Sequence, residues 1–136
     1  MGKSELSFDA FGEPAPQGSK KIIHGRLIEA SGAKHKKWRK DVKLAAMEAI
    51  AGSGVAFFDD PIEITLKIYV RRGSTVKRAL PTVPADLDKL VRCIFDSLTD
   101  AGVWKDDSQV VKVTAFKVYA DDREPGAFMQ ISKYNN

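Results

Sequence analysis

The amino-acid sequence predicts an α+β fold, a mixed or antiparallel sheet with two main helices packed on it. Three segments carry that prediction. Ile62, Ile64, Leu66, Ile68 and Val70 alternate with Glu63, Thr65, Lys67 and Tyr69, the period of two expected of a half-buried strand. Leu87, Leu90, Val91, Ile94, Phe95 and Leu98 recur at the spacing of one apolar helix face. Residues 109–119 are rich in β-branched and aromatic side chains and read as a long strand.

In chain order, residues 6–11 read as a short strand, which Glu13-Pro14-Ala15-Pro16-Gln17-Gly18 ends in a turn. Residues 22–28 read as a second strand pairing with the first and broken by Ser31-Gly32. A helical pattern runs from about residue 36 to 51, with Trp38, Val42, Ala45, Ala46 and Ala49 on one stripe. Gly52 and Gly54 are its stop signals. The strand at 61–70 leads into a basic loop, 71–84, which carries Arg71, Arg72, Lys77 and Arg78 together with Pro81 and Pro84. The second helix starts near Asp86 or Asp88, reaches about Asp100, and stops at Gly102. After the strand at 109–119, Glu124-Pro125-Gly126 turns the chain into a last short strand at 127–132. No repeat or long linker interrupts the chain, so residues 1–136 read as a single domain.

The composition, 43% hydrophobic and 29% charged, is that of a globular protein with a real core. No apolar run approaches the roughly 18–20 residues a membrane helix needs, so no membrane association is expected. The N-terminal Met1-Gly2-Lys3-Ser4-Glu5 does not resemble a signal segment, and one cysteine, Cys93, cannot form an internal disulfide. A reducing, cytoplasmic location is the expectation. The net charge is +4, unevenly spread. Residues 1–84 hold 15 Lys and Arg against 9 Asp and Glu, and residues 85–136 hold 7 against 9, a balance of +6 followed by −2. That distribution suits a protein that grips a polyanion and holds a cation, although many soluble domains have uneven surfaces.

The acidic residues fall in two groups, Asp86-Leu87-Asp88 at the start of the second helix and Asp106-Asp107-Ser108 before the following strand. The helix and the turn after it are expected to return the chain and bring both groups to one end of the fold. Mg²⁺ is a hard cation that prefers carboxylate oxygens, so two or three converging aspartates suffice to hold it. In that position it orients a phosphate and stabilises charge on the leaving oxygen. His24 and His35 are isolated, and a lone cysteine makes no zinc site. The same aspartates have another explanation. Aspartate is a favoured helix N-cap, and Asp-Asp-Ser is ordinary turn chemistry.

The segment from Pro84 to Val110, with Asp86-Leu-Asp88, Arg92, Asp96-Ser-Leu and Ala101-Gly-Val-Trp104-Lys-Asp106-Asp107-Ser-Gln109, resembles the core of the RusA family. Pro16-Gln17-Gly18 and Lys37-Trp38-Arg39 also resemble family features, so the likeness covers most of the chain. The resemblance implies a RusA-like homodimeric fold. It further implies a Mg²⁺-dependent crossover junction endodeoxyribonuclease, with Mn²⁺ as a substitute, that resolves four-way (Holliday) junctions in DNA recombination and repair by paired symmetric nicks. Asp86, Asp88 and Asp107 would be catalytic, metal-binding carboxylates, and Asp106 a neighbour with a metal-binding or structural part. A bacterial or phage origin and the absence of a small-molecule cofactor follow from the same likeness. Two positions depart from the family pattern. Its asparagine after the second aspartate is Lys89 here, and its lysine four residues after that aspartate is Arg92. Arg92 keeps the charge for a catalytic contact but not the point geometry, which puts turnover in question more than metal binding. It also fits an i,i+4 ion pair with Asp88 or Asp96.

Lys20, Lys21, Lys36, Lys37, Arg71, Arg72, Lys77, Arg78 and Lys89 are the candidate DNA-binding residues. Some of the helical lysines fit a solvated face equally well. Phe57, Phe58 and the exposed side of the 110–119 strand are candidate dimer material or, alternatively, core. A non-catalytic, catalytically impaired junction-binding module is the competing reading, and cleavage of ordinary duplex or RNA a third.

Overall fold

A computed structural model describes residues 5–16, 20–29 and 32–135. The elements run β1 (Glu5–Phe11), β2 (Lys20–Ile23), β3 (Arg26–Glu29), α1 (Gly32–Ser53), β4 (Ile62–Val70), α2 (Leu87–Ala101), a 3₁₀ turn (Asp107–Gln109), β5 (Val110–Tyr119) and β6 (Gly126–Lys133). Four strands form one sheet in the order β1-β6-β4-β5. β6 pairs antiparallel with β1 and β4, whereas β4 and β5 are parallel. A parallel pair needs a crossover, and α2 supplies it. The fold is therefore α+β, a mixed four-stranded sheet with two helices, as the alternation at 62–70 and the apolar stripe of α2 predict.

The core lies where the helices meet the sheet. Ile62, Ile64, Leu66 and Ile68 of β4 are buried together with Leu90, Ile94 and Leu98 of α2 and Trp38, Val42 and Ala46 of α1. Phe57 is also buried, which assigns it to the core, while Phe58 remains 54% exposed. Arg39 of α1 ties the two helices by donating from Nη2 (2.8 Å) and Nε (3.2 Å) to Asp100 Oδ2.

Two local expectations need correction. Residues 22–28 are not one strand paired with β1; they belong to a hairpin, β2 against β3, in its own two-stranded sheet. The cause is His24-Gly25, whose φ values of +52° and +76° are both positive, as a two-residue turn matching strand twist requires. α1 also starts four residues earlier than about residue 36, at Gly32, and passes through Gly52 to Ser53. α2 ends as expected. Gly102 takes the left-handed conformation (φ 83°, ψ 22°), and its N–H reaches the carbonyls of Leu98 and Thr99.

Candidate active site

The two acidic groups are held in different ways. Asp86 occupies the N-cap position of α2 (φ −69°, ψ 141°), but its carboxylate makes no capping hydrogen bond. Asp88 lies in the first helical turn and is exposed. Lys89 Nζ is 3.9 Å from Asp86 Oδ2. The strap leading into this motif is fixed from β5, where Lys117 Nζ donates to the carbonyls of Ala85 (2.6 Å) and Val83 (2.8 Å). An aspartate that only served the helix would spend its oxygens on the first amide groups. Asp86 does not.

Asp106 does. Its Oδ2 accepts from the Ser108 N–H at 3.1 Å, and Gln109 Oε1 accepts from the amide groups of Asp106 (3.1 Å) and Lys105 (2.9 Å), completing a capping box. Ser108, through its hydroxyl and its backbone N–H, holds the Asp106 carboxyl below the usual carboxylate range. Gln109 Nε2 donates to the carbonyls of Phe57 (2.8 Å) and Asp60 (3.0 Å), anchoring the turn to the start of β4. Asp107 is left exposed. Behind it, Trp104 is buried, packs edge-on against Phe95 at 5.6 Å, and donates from Nε1 to Thr99 Oγ1 at 2.7 Å.

The expectation that both groups reach one end of the fold is overturned. Asp86 and Asp88 stand at the N-terminal end of α2, and Asp107 stands beyond its C-terminal end, at the start of β5. Fifteen residues of α-helix span roughly 22 Å at 1.5 Å per residue. Gly102 reverses the chain beside the helix end but does not carry it back along the helix. Asp96, eight residues after Asp88, is the α2 carboxylate whose ionisation senses Asp107. Burial raises the Asp96 carboxyl above its ordinary range; Arg39 offsets part of this, Asp107 and Asp100 add to it, and Arg92 opposes it. Among the described residues, no group of three or more His, Cys, Asp or Glu side chains is placed to hold a metal ion. The donor chemistry of Asp86, Asp88 and Asp107 suits a hard cation; their placement within one chain does not complete a site.

The candidate DNA contacts differ in freedom. Arg71 pairs with Glu13 at 2.6 Å, and Lys37 with Asp41 at 2.9 Å. Arg72 is committed to its own loop, donating to Asp121 (2.8 Å) and to the carbonyls of Val76 (3.2 Å) and Arg78 (2.7 Å) while stacking 4.1 Å from the Tyr119 ring. Arg78 donates to the Tyr119 hydroxyl at 2.9 Å. Lys36, Arg92 and the arginine-loop tip at Lys77 belong to exposed or half-exposed surface. Lys20 and Lys21 stand in β2, where the side chains lie outside the described residues. Sequence reasoning did not single out Lys117, and it named Asp96 only as an ion-pair partner for Arg92 and Gln109 only as part of the family-like run. Lys117 carried a signal, a lysine between the apolar Phe116 and Val118 near the strand's end; Gln109 acquires its meaning only from tertiary neighbours, and Asp96 mostly so.

The α+β fold thus has a parallel crossover, exposed carboxylates at both ends of its crossover helix and basic residues in the loop that leads into that helix. The comparisons with known proteins add the family. The family profile Endodeoxyribonuclease RusA matches residues 12–132, nearly the whole chain, and the protein belongs to that family of endodeoxyribonucleases. It is also similar to the uncharacterized protein YqaN of Bacillus subtilis (strain 168), 26% identical over 131 residues that span 86% of this chain and 89% of that protein. No helix among the described residues is long and apolar enough to cross a membrane.

Proposed function

We propose that this chain is a divalent-metal-dependent crossover junction endodeoxyribonuclease, which resolves four-way junctions and related branched DNA by paired symmetric nicks in recombination and repair. The observation that carries the reading is the contrast between two aspartates at helix starts, Asp106 spent on capping and Asp86 with an exposed carboxylate that makes no capping hydrogen bond and meets Lys89 at 3.9 Å. Membership of the family supplies the reaction class.

In this reading Asp86 and Asp88 of one protomer and Asp107 of a second form the carboxylate set, because one chain alone keeps them apart. Mg²⁺, or Mn²⁺ in its place, would supply Lewis-acid stabilisation of the phosphate when bound between them. Lys89 and Arg92, on the first turns of α2 beside the acids, are the cations that draw the DNA backbone toward the carboxylates. Lys117 keeps Asp86 at the mouth of the site by holding the strap. Asp106 keeps Asp107 presented. Lys36, Lys37, Arg71 and Lys77 are the outer phosphate contacts, and Arg72 and Arg78 shape the loop that displays them. A four-way junction has approximate two-fold symmetry, so a homodimer with two equivalent sites suits paired nicks.

The test is cleavage of a labelled synthetic four-way junction with and without Mg²⁺. Paired symmetric nicks that require the metal and vanish in Asp88→Asn are the expected result. Tight junction binding without cleavage in Mg²⁺ or Mn²⁺ would contradict it and favour a binding module.

A further inference from the structure

A cavity of about 290 Å³ lies behind the strap that carries Asp86. Ala85 lines it, one residue before Asp86, and so does Lys117, which holds the strap by the carbonyls of Val83 and Ala85. The lining divides by chemistry. Val76, Pro81, Pro84 and the buried Leu90 are apolar, while Glu13, Arg71 and Arg78 bring charge from exposed positions. Arg78 spends Nη1 on the Tyr119 hydroxyl at 2.9 Å. Arg71 and Glu13 meet at 2.6 Å but are 63% and 55% exposed, and an ion pair so exposed contributes little and gives way to a ligand.

A bare phosphate gains nothing from walls of valine, proline and leucine. Concave, mostly apolar sites with a few polar groups take ligands that have apolar faces and a polar edge, and about 300 Å³ is the lower bound of their usual size. A nucleobase has that form. Its faces are apolar, and its edge carries both acceptors and N–H donors. Arginine donates to the acceptors and a carboxylate accepts from the donors, the pairings by which side chains read bases. The Glu13–Arg71 pair also lines a second depression of about 450 Å³, which extends past Lys34 and Lys37 of α1. A free base has no use for such an extension. A base that arrives on a strand does, since the phosphates on either side of it need cations.

We propose that this cavity receives one unpaired nucleobase of the DNA strand whose phosphate lies at Asp86, with the adjoining backbone running past Lys34 and Lys37. Taking a base out of its stack costs least where pairing is already weakened, as at a branch point. The location of that phosphate rests on the nuclease reading above; the pocket itself is tested by binding alone.

The probe is a fluorescently labelled synthetic four-way junction, titrated with the full chain in metal-free buffer and followed by anisotropy. In a series of junctions, one nucleotide at a time around the branch point is made abasic. At one position the missing base should weaken binding by wild type roughly tenfold, the weight of one stacked base. Val76→Trp, which fills the cavity, should weaken binding of the intact junction by a similar factor and be indifferent to that abasic site, with an unchanged circular dichroism spectrum. The two losses overlap because they remove one contact. Arg78→Ala, at the exposed rim, should lose part of the same sensitivity, and it keeps the test open should Val76→Trp fail to fold. A junction that does not bind, the absence of any sensitive position, or an abasic loss that persists in full in both variants would overturn the pocket. Overlapping losses in a protein that cleaves no DNA leave the pocket standing and remove the nuclease reading. Metal-dependent cleavage with no such overlap does the reverse.

Discussion

The two ends of α2 offer the sharpest internal comparison. Beyond its C-terminus the chain is stitched down at every step: Gly102 caps the helix, Trp104 is buried, and Gln109 bonds to four backbone groups across the turn. Before its N-terminus a basic loop arrives, held by Arg72 at the carbonyls of Val76 and Arg78 and by Lys117 at those of Val83 and Ala85. One end is a fixed post and the other a tethered arm. A carboxylate on the post is positioned by folding. On the arm, its place depends on side-chain bonds from Arg72 and Lys117 to the loop's carbonyls and on the packing of Ala85 and Leu87 against the core.

The largest expected effect tests whether both ends serve the same chemistry. Asp88→Asn and Asp107→Asn should each lower junction cleavage on the order of 10³-fold, several kcal/mol of barrier, while leaving junction affinity near wild type. A loss at one end only would break the comparison, reducing the other end to structure. Next comes support. Gln109→Ala removes both donor and acceptor from four backbone partners and should cost about 1–3 kcal/mol of stability in denaturant unfolding, with cleavage falling as well. Lys117→Met should behave differently. Cleavage should fall through kcat with little change in KM, and stability by less than in Gln109→Ala, because two carbonyls rather than four backbone groups lose a partner and one of the two, that of Val83, is exposed. Equal stability losses would mean that the arm is as much a part of the core as the post.

The same division decides what the sequence revealed. Regular elements follow from side-chain period, and β4, α2, β5 and β6 were legible because their alternation or stripe is set locally. The hairpin at residues 20–29 was misread because one turn dipeptide, His24-Gly25, outweighs a continuous apolar run. The individual aspartates were visible as residues. Their placement was not, since whether a helix returns or separates two groups depends on which strand pairing it crosses. Parallel pairing of β4 with β5 makes α2 a spacer and sends Asp86 and Asp107 apart. The uncapped state of Asp86, against the capping box of Asp106, is likewise a three-dimensional fact about two residues that read alike in one dimension.

A smaller effect distinguishes two neighbouring arginines of the loop. Each lysine or arginine contact with phosphate contributes about one unit to the salt slope of binding. Arg71→Ala should flatten the junction-binding slope by about that amount. Arg72→Ala should leave the slope alone and lower the melting temperature, because its bonds to Asp121 and two carbonyls hold the loop together. An equal change of slope in both would place Arg72 on the DNA as well.

The smallest effect lies between the ends, at Asp96. Burial first, then the nearby Asp107 and Asp100, raise its carboxyl above the ordinary value despite Arg39 and Arg92. An acid whose folded value is raised binds its proton more tightly in the folded state than in the unfolded one. Its stabilising contribution is therefore complete below the ordinary carboxylate value of about 3.9 and disappears as pH rises through the raised value. Asp96→Asn removes that dependence. The variant should melt slightly above wild type at neutral pH, and the gap should close as pH falls below the ordinary carboxylate range. A variant that melts lower at neutral pH would show that the attraction of Arg39 outweighs burial, and that the middle of α2 is an ion-pair seam joining the post to α1.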